Sequence, residues 1–204
     1  MKNKIKQIVF VFILVLPCSA YSMEPVDALK GPVDQVFKLL QDSLYQDASQ
    51  KDLQREKIWN VVSGIFDFTE MAKRTLTRNW KKFSPEQRKE FTHLFAELLG
   101  NTYIGRMQGE YEGDKIFFQD QKKISNSKAR VKTKILRGSI DIPIVYSMLN
   151  RNGTWKIYDV NLEGVSLVKN YRTQFNKILM KNPPSLLIER LKKKIELQEK
   201  KRIK

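Results

Sequence analysis

Apolar residues recur three and four apart over the first half of the chain, then every second residue, then three and four apart again. From Pro32 to Tyr45, residues Val33, Val36, Phe37, Leu40 and Leu44 share one stripe at helical spacing. Ser49-Gln50-Lys51-Asp52 reads as a cap, with Leu53, Ile58, Val61, Val62 and Ile65 carrying a second helix behind it. Asp67-Phe68-Thr69-Glu70 caps a short third helix bearing Met71, Ala72 and Leu76. The clearest helix opens at Ser84-Pro85-Glu86-Gln87, where Ser84 suits the N-cap, Pro85 the first turn and Gln87 a capping box. Phe91, Leu94, Phe95, Leu98 and Tyr103 follow on one face, which puts His93 on the polar side.

At Lys115 the period changes to two. Ile116 to Gln119 is one strand, and in Lys128 to Leu136 the residues Val131, Thr133 and Ile135 alternate with Lys132 and Lys134. Gly138 marks a turn, after which Ile140, Ile142, Ile144, Tyr146 and Met148 line one face of a third strand. Asn152-Gly153 is a hairpin signal suited to positive φ. In the fourth strand, Thr154 to Leu162, alternation places Trp155 and Ile157 on one face and Tyr158, Val160 and Leu162 on the other. Val168, Tyr171, Phe175 and Ile178 restore the helical stripe, Pro183-Pro184 breaks it, and Ser185 restarts it with Leu187, Ile188, Leu191 and Ile195. The pattern predicts an α+β fold: an antiparallel meander of about four strands with its helices segregated from it.

The first residues read as an address. Lys2, Lys4 and Lys6 precede an unbroken apolar run from Ile8 to Leu16, then Pro17 and the small residues Cys18-Ser19-Ala20. That is the layout of a secretory signal peptide, about residues 1–22, with cleavage after Ala20 or Ser22. Acylation of Cys18 is the rival reading, which Pro17 fits badly. The run is shorter than the roughly 20 residues a spanning helix needs.

Charge then narrows the partners. The 204-residue chain carries 38 Lys and Arg against 22 Asp and Glu, a net +16, and removal of the leader leaves +13. An anionic partner is implied, and export turns that expectation from nucleic acid toward lipid headgroups or acidic protein surfaces. One Cys and one His exclude a disulfide framework and a Cys/His metal cluster. No phosphate loop, HExxH or nucleophile elbow is present. Asp67, Asp141, Asp159 and Glu163 are carboxylates without a catalytic pattern, so no catalytic residue, metal or cofactor is expected.

Three stretches carry a family resemblance. They are Phe66-Asp67-Phe68 with Met71-Ala72, Arg74 and Leu76, then Ser84-Pro85-Glu86-Gln87 leading to Phe91 and Phe95. The third and most specific is Trp155 to Val160 with Glu163-Gly164-Val165-Ser166-Leu167, Asn170-Tyr171-Arg172 and Gln174-Phe175. Over about residues 33–192 the order and spacing resemble the MlaC family, the toluene-tolerance or ABC-transporter auxiliary proteins. The lysine-rich end from about residue 192 departs from that pattern.

The resemblance implies an NTF2-like curved sheet with a helical subdomain enclosing an apolar cavity, in one domain over 23–204. It implies a non-enzymatic periplasmic carrier of phospholipid, the lipid being cargo. The implied partners are an outer-membrane lipoprotein complex and an inner-membrane MCE-domain ABC transporter. Within that frame the expected lipid contacts are Tyr103, Val131, Ile135, Ile142, Ile144, Tyr146, Val160, Leu167 and Tyr171, the apolar residues placed to meet between layers. Asp159, Glu163 and Arg172 are expected to fix the corner after the last strand, Arg172 satisfying a carboxylate. The basic C-terminal segment reads as a solvated helix end or as a docking surface for anionic headgroups. A pocket-bearing enzyme acting on lipid and a surface-only binding module are the alternative functions.

Overall fold

The computed structural model describes residues 23–203, so the leader reading of residues 1–22 lies outside the described residues. The order is α1 (Pro25–Gln41), α2 (Lys51–Ile65), α3 (Phe68–Leu76), α4 (Pro85–Glu110), β1 (Lys115–Ser125), β2 (Lys128–Arg137), β3 (Ile140–Arg151), β4 (Thr154–Leu162), β5 (Val165–Ser166), α5 (Leu167–Leu179) and α6 (Pro184–Ile203). One antiparallel sheet runs in the order β1-β2-β3-β4-β5. It therefore has five strands, the last only two residues long.

Local signals account for most boundaries. Ser84 and Gln87 close the capping box of α4, and the Asp67 side chain accepts from the Glu70 N–H at the start of α3. Asn152 and Gly153 both adopt positive φ in the β3–β4 turn. Several boundaries differ from expectation, β1 running on to Ser125 among them. Helix α1 starts two turns earlier, at Pro25, and contains Pro32. The helix also stops at Gln41, so Leu44 is exposed in a short 3₁₀ turn. The expected cap at Ser49 acts one element early: Asp47 accepts from the Ser49 N–H on a 3₁₀ turn, and α2 begins uncapped at Lys51.

A β-bulge corrects the face assignment in β4. Tyr146 pairs with Val160, but Met148 pairs with Ile157, so Tyr158 is the extra residue. Paired residues share a face, and Trp155, Ile157, Val160 and Leu162 therefore all point to the same side. Tyr158 instead carries the Arg74 guanidinium over its ring at 4.1 Å. A second irregularity at Gln119 in β1 keeps Ile116, Phe118 and Gln121 on that same side.

Helices close on that side. Leu29 and Val33 of α1 pack with Ala129, Val131, Met148, Trp155 and Ile157. The start of α1 is tied to the sheet by the Trp155 Nε1–H donating to the Met23 carbonyl at 2.8 Å and by Gln121 Oε1 accepting from the Val26 N–H. The free edge of β4 is covered at Ile157, where Phe66 bridges and the Asp67 N–H donates to its carbonyl. A second cluster joins α3, α4, α5 and α6, with Phe91, Phe95, Tyr171 and Phe175 in edge-on and stacked contacts 5.2–5.8 Å apart.

The C-terminal segment is packed helix. Leu187, Ile188, Leu191 and Ile195 are all at most 5% exposed. Helix α6 runs parallel to α4, with Lys192 bridged to Glu90 and Gln198 donating to Thr102. The solvated-end reading holds only for its outer face, where Lys193, Lys194, Lys200 and Lys201 are exposed.

The corner after β4 is built as expected at Asp159 and differently at Arg172. Asp159 accepts from the Ser166 hydroxyl at 2.6 Å and from the Val168 N–H at 3.0 Å, capping the start of α5. Arg172 donates to the Arg74 carbonyl at 3.0 Å and bridges no carboxylate among the described residues. Helix α5 aims its side chain at the C-terminal turn of α3, whose last carbonyls need donors.

Two stability predictions follow from buried groups. Arg137 grips the 5%-exposed Asp114 carboxylate with Nε and Nη2. That grip, opposed in part by burial, holds the guanidinium pKa above its ordinary value. Replacing it by Arg137→Ala leaves Asp114 buried and unpaired, so urea denaturation should show a loss of about 3 kcal/mol with little change in m. Ile195→Ala should destabilise by about 2–4 kcal/mol if α6 is core, and by a few tenths if it is a solvated tail, read from the same titration.

Candidate functional site

The inner face of the sheet is a grid of apolar side chains whose exposure changes from one end to the other. Three rungs are set by register. Ala129, Met148 and Ile157 form the first, Val131, Tyr146 and Val160 the second, and Thr133, Ile144 and Leu162 the third. Ile135 and Ile142 pair beyond them, and Arg137 pairs with Ile140 at the end. The first rung is fully buried under α1. Tyr146, Val160, Leu162, Ile135 and Ile142 are half-buried, and Ile140 is 60% exposed. From β1, Ile116 and Phe118 face the same space and are half-buried too.

Val131, Thr133 and Ile144 stay buried among them, so exposure rises unevenly along the grid toward Ile140. Apolar side chains that face the helices yet keep contact with water mark a surface the protein itself does not finish covering. Leu167 starts α5 directly after β5, and Tyr171 follows one turn later on the same side of the helix. The Tyr171 phenol is pushed up to about 12 by burial, with the nearby Tyr103 adding to the effect. Burial raises Tyr103 as well, and raises Tyr146 to about 12. All three phenols therefore stay neutral and apolar in character over any physiological pH.

The nine expected residues fall into two groups. Val131, Ile135, Ile142, Ile144, Tyr146 and Val160 meet on the grid. Tyr103 and Tyr171 belong to the helical cluster, with Leu167 between the groups in the chain. Ile116, Phe118 and Leu162 share the grid and were missed. The signal was present for all three: the alternation of β1 pairs Ile116 with Phe118, and that of β4 puts Leu162 on the face of Val160. A groove of about 490 Å³ lies elsewhere, between α2, α4 and α6, and none of the nine residues lines it.

Little else in the described residues suggests chemistry. Asp67, Asp141 and Asp159 are occupied by a helix cap, by Lys134 and by the α5 cap. His93 is 80% exposed, as its place on the polar side of α4 predicts. Among the described residues no group of three His, Cys, Asp or Glu side chains converges as a metal site would require.

Comparisons with known proteins agree with this architecture. The family model for the MlaC protein matches residues 30–193. The chain is 24% identical over 160 residues to the toluene tolerance protein ttg2D of Pseudomonas putida, covering 78% of this chain and 74% of that one. It is 22% identical over 183 residues to the intermembrane phospholipid transport system binding protein MlaC of Haemophilus influenzae, covering 87% and 85%. A phospholipid-binding protein from Ralstonia solanacearum, solved in complex with a phospholipid, has the same fold with a TM-score of 0.76 at 19% identity. That match covers 87% of this chain and 99% of the other. With its family pattern spanning residues 30–193 and its sheet-and-helix architecture in place, the chain belongs to the MlaC family.

Proposed function

We propose that this protein is a phospholipid carrier that holds acyl chains between the inner face of its sheet and helices α1, α4 and α5. The observation that carries the reading is the graded apolar grid, half-buried at Ile135, Ile142, Tyr146 and Val160 although it faces the helices. Family membership and the phospholipid named for the Ralstonia and Haemophilus relatives support it. Each methylene moved out of water is worth about 0.8 kcal/mol, so a lipid with some thirty of them needs an apolar host to leave a bilayer.

The grid does this by physical means alone. Val131, Tyr146 and Val160 give a continuous wall across three strands, and in this reading Leu167, Tyr171 and Tyr103 face the cargo from the helical side. In this reading the chains enter at the more exposed Ile135–Ile142 end, and the buried first rung limits how deep they reach. No bond changes in such a cycle, which agrees with the absence of a catalytic pattern in the sequence. The wider assignment is part of the same proposal: export to the periplasm after leader removal, and passage of lipid between an outer-membrane lipoprotein complex and an inner-membrane MCE-domain ABC transporter.

Mass spectrometry of the purified protein under native and then denaturing conditions should release phospholipid in a fixed ratio to protein. Ile142→Asp places a charge on the half-buried part of the grid, where the fold tolerates it better than at Val131, and should lower the lipid ratio at least tenfold with the fold kept by circular dichroism. A full lipid load in folded Ile142→Asp would remove this wall from the site. Absence of any bound lipid would favour the surface-only module, and steady conversion of added phospholipid to lysolipid would favour an enzyme.

A further inference from the structure

The outer face of α6 carries more positive charge than its packing role explains. The helix turns Leu187, Ile188, Leu191 and Ile195 inward. Two of its cations serve the fold: Lys192 bridges Glu90 of α4, and Arg202 bridges Asp52 of α2. The others point away from those contacts. Arg190, Lys193, Lys194, Lys200 and Lys201 are all exposed. Among the described residues no carboxylate bridges Arg190, Lys193, Lys194 or Lys201, and Lys200 meets only Glu196 of its own helix.

A second observation lies at the centre of this face, where Leu197 is 50% exposed. Residues three and four apart are neighbours on a helix surface. The four such neighbours of Leu197 are Lys193, Lys194, Lys200 and Lys201, so one apolar side chain is ringed by four ammonium groups. The acids of α6 stand outside the ring. Glu189 and Glu196 are seven apart and share one stripe along its edge, and Glu199 faces the recess that holds Arg55 and Arg202. A lone exposed leucine or a lysine-rich helix face is ordinary surface. Set one inside the other, they form the pattern by which a helix lies on an anionic bilayer, the apolar side chain entering below headgroups that the lysines neutralise.

The composition and shape of the patch fit a bilayer better than a protein surface. Lysine is depleted in protein–protein interfaces, whose anchors are aromatic and arginine side chains seated in pockets. The patch lies on the convex side of one helix, and none of its cations, nor Leu197, lines the grooves beside α2 and α4. Long flexible ammonium side chains can follow phosphates wherever a fluid surface places them.

We propose that the outer face of α6 docks this protein on a bilayer rich in anionic phospholipid. Leu197 stands at the centre of the footprint, with Lys193, Lys194, Lys200 and Lys201 on the headgroups around it and Arg190 extending it by one turn. Docking is peripheral, since no described helix is long and apolar enough to cross a membrane. It is also screened by salt, because most of the attraction comes from exposed charge. None of these residues lies on the sheet grid, so the proposal stands independently of lipid carriage.

The test is cosedimentation of the purified protein with vesicles of phosphatidylcholine and phosphatidylglycerol in about equal parts, beside vesicles of phosphatidylcholine alone, at low and high salt. The protein should bind the mixed vesicles at low salt, release them at high salt and leave the neutral ones unbound in both. Lys193→Gln combined with Lys194→Gln should weaken binding about tenfold or more. Leu197→Ser should weaken it about threefold or more while keeping the salt dependence. Lys128→Gln combined with Arg130→Gln removes the same charge from the outer face of β2 and should bind as the unaltered protein does. All these side chains are exposed, so circular dichroism should show the fold kept in each variant. The proposal is overturned if the mixed vesicles fail to bind, if neutral vesicles bind equally, if the β2 pair weakens binding as much as the α6 pair, or if Leu197→Ser binds unchanged.

Discussion

Four successive strands turn apolar side chains to the same side of one sheet, and keeping water off that side decides where each helix can go. Leu29 and Val33 of α1 cover the first rung, the α2–α3 junction seals the β4 edge at Ile157, and Asp159 fixes the start of α5 over the last strand. At roughly 25 cal/mol for each Å² removed from water, such a surface outweighs the hydrogen bonds at its margins, most of which net about 1 kcal/mol. The margins then set the geometry: Trp155 bonded to Met23, and Arg137 to Asp114, hold the ends of the helices to the ends of the strands.

In the proposed carrier, the incomplete cover of that face toward Ile140 is what separates a site from a core. A fully covered grid would be an ordinary interior, close-packed and closed to ligand. An open one would be an aggregation hazard. Exposure that rises from Ile157 through Val160 and Ile142 to Ile140 lies between these extremes, and suits a cargo whose own surface is apolar. The helical layer follows the opposite logic. Between α2, α4 and α6 the contact is polar, with Arg55 bonded to Asn101 and to the Gly100 carbonyl and Gln198 bonded to Thr102.

The sequence by itself determined the order and type of the main elements and those ends that carry a local signal. Ser84 and Gln87, Asp67, Asn152-Gly153 and Pro183-Pro184 act on their own neighbours in the chain, so their effect is readable without a partner. It also determined the family, because the matching motifs run along almost the whole of residues 30–193. Tertiary structure decided what depends on distant groups. The bulge at Tyr158, which gathers Trp155, Ile157, Val160 and Leu162 on one face, exists only in the pairing of β4 with β3. The C-terminal lysines read as a tail by charge, but Ile195 is buried because α4 offers it a surface. Arg172 found a carbonyl in place of a carboxylate because α5 meets the end of α3 there, and the groove at Arg55 is assembled from three helices far apart in the chain. Period and capping are local physics, while registers, faces and grooves arise from contacts that the one-dimensional pattern does not contain.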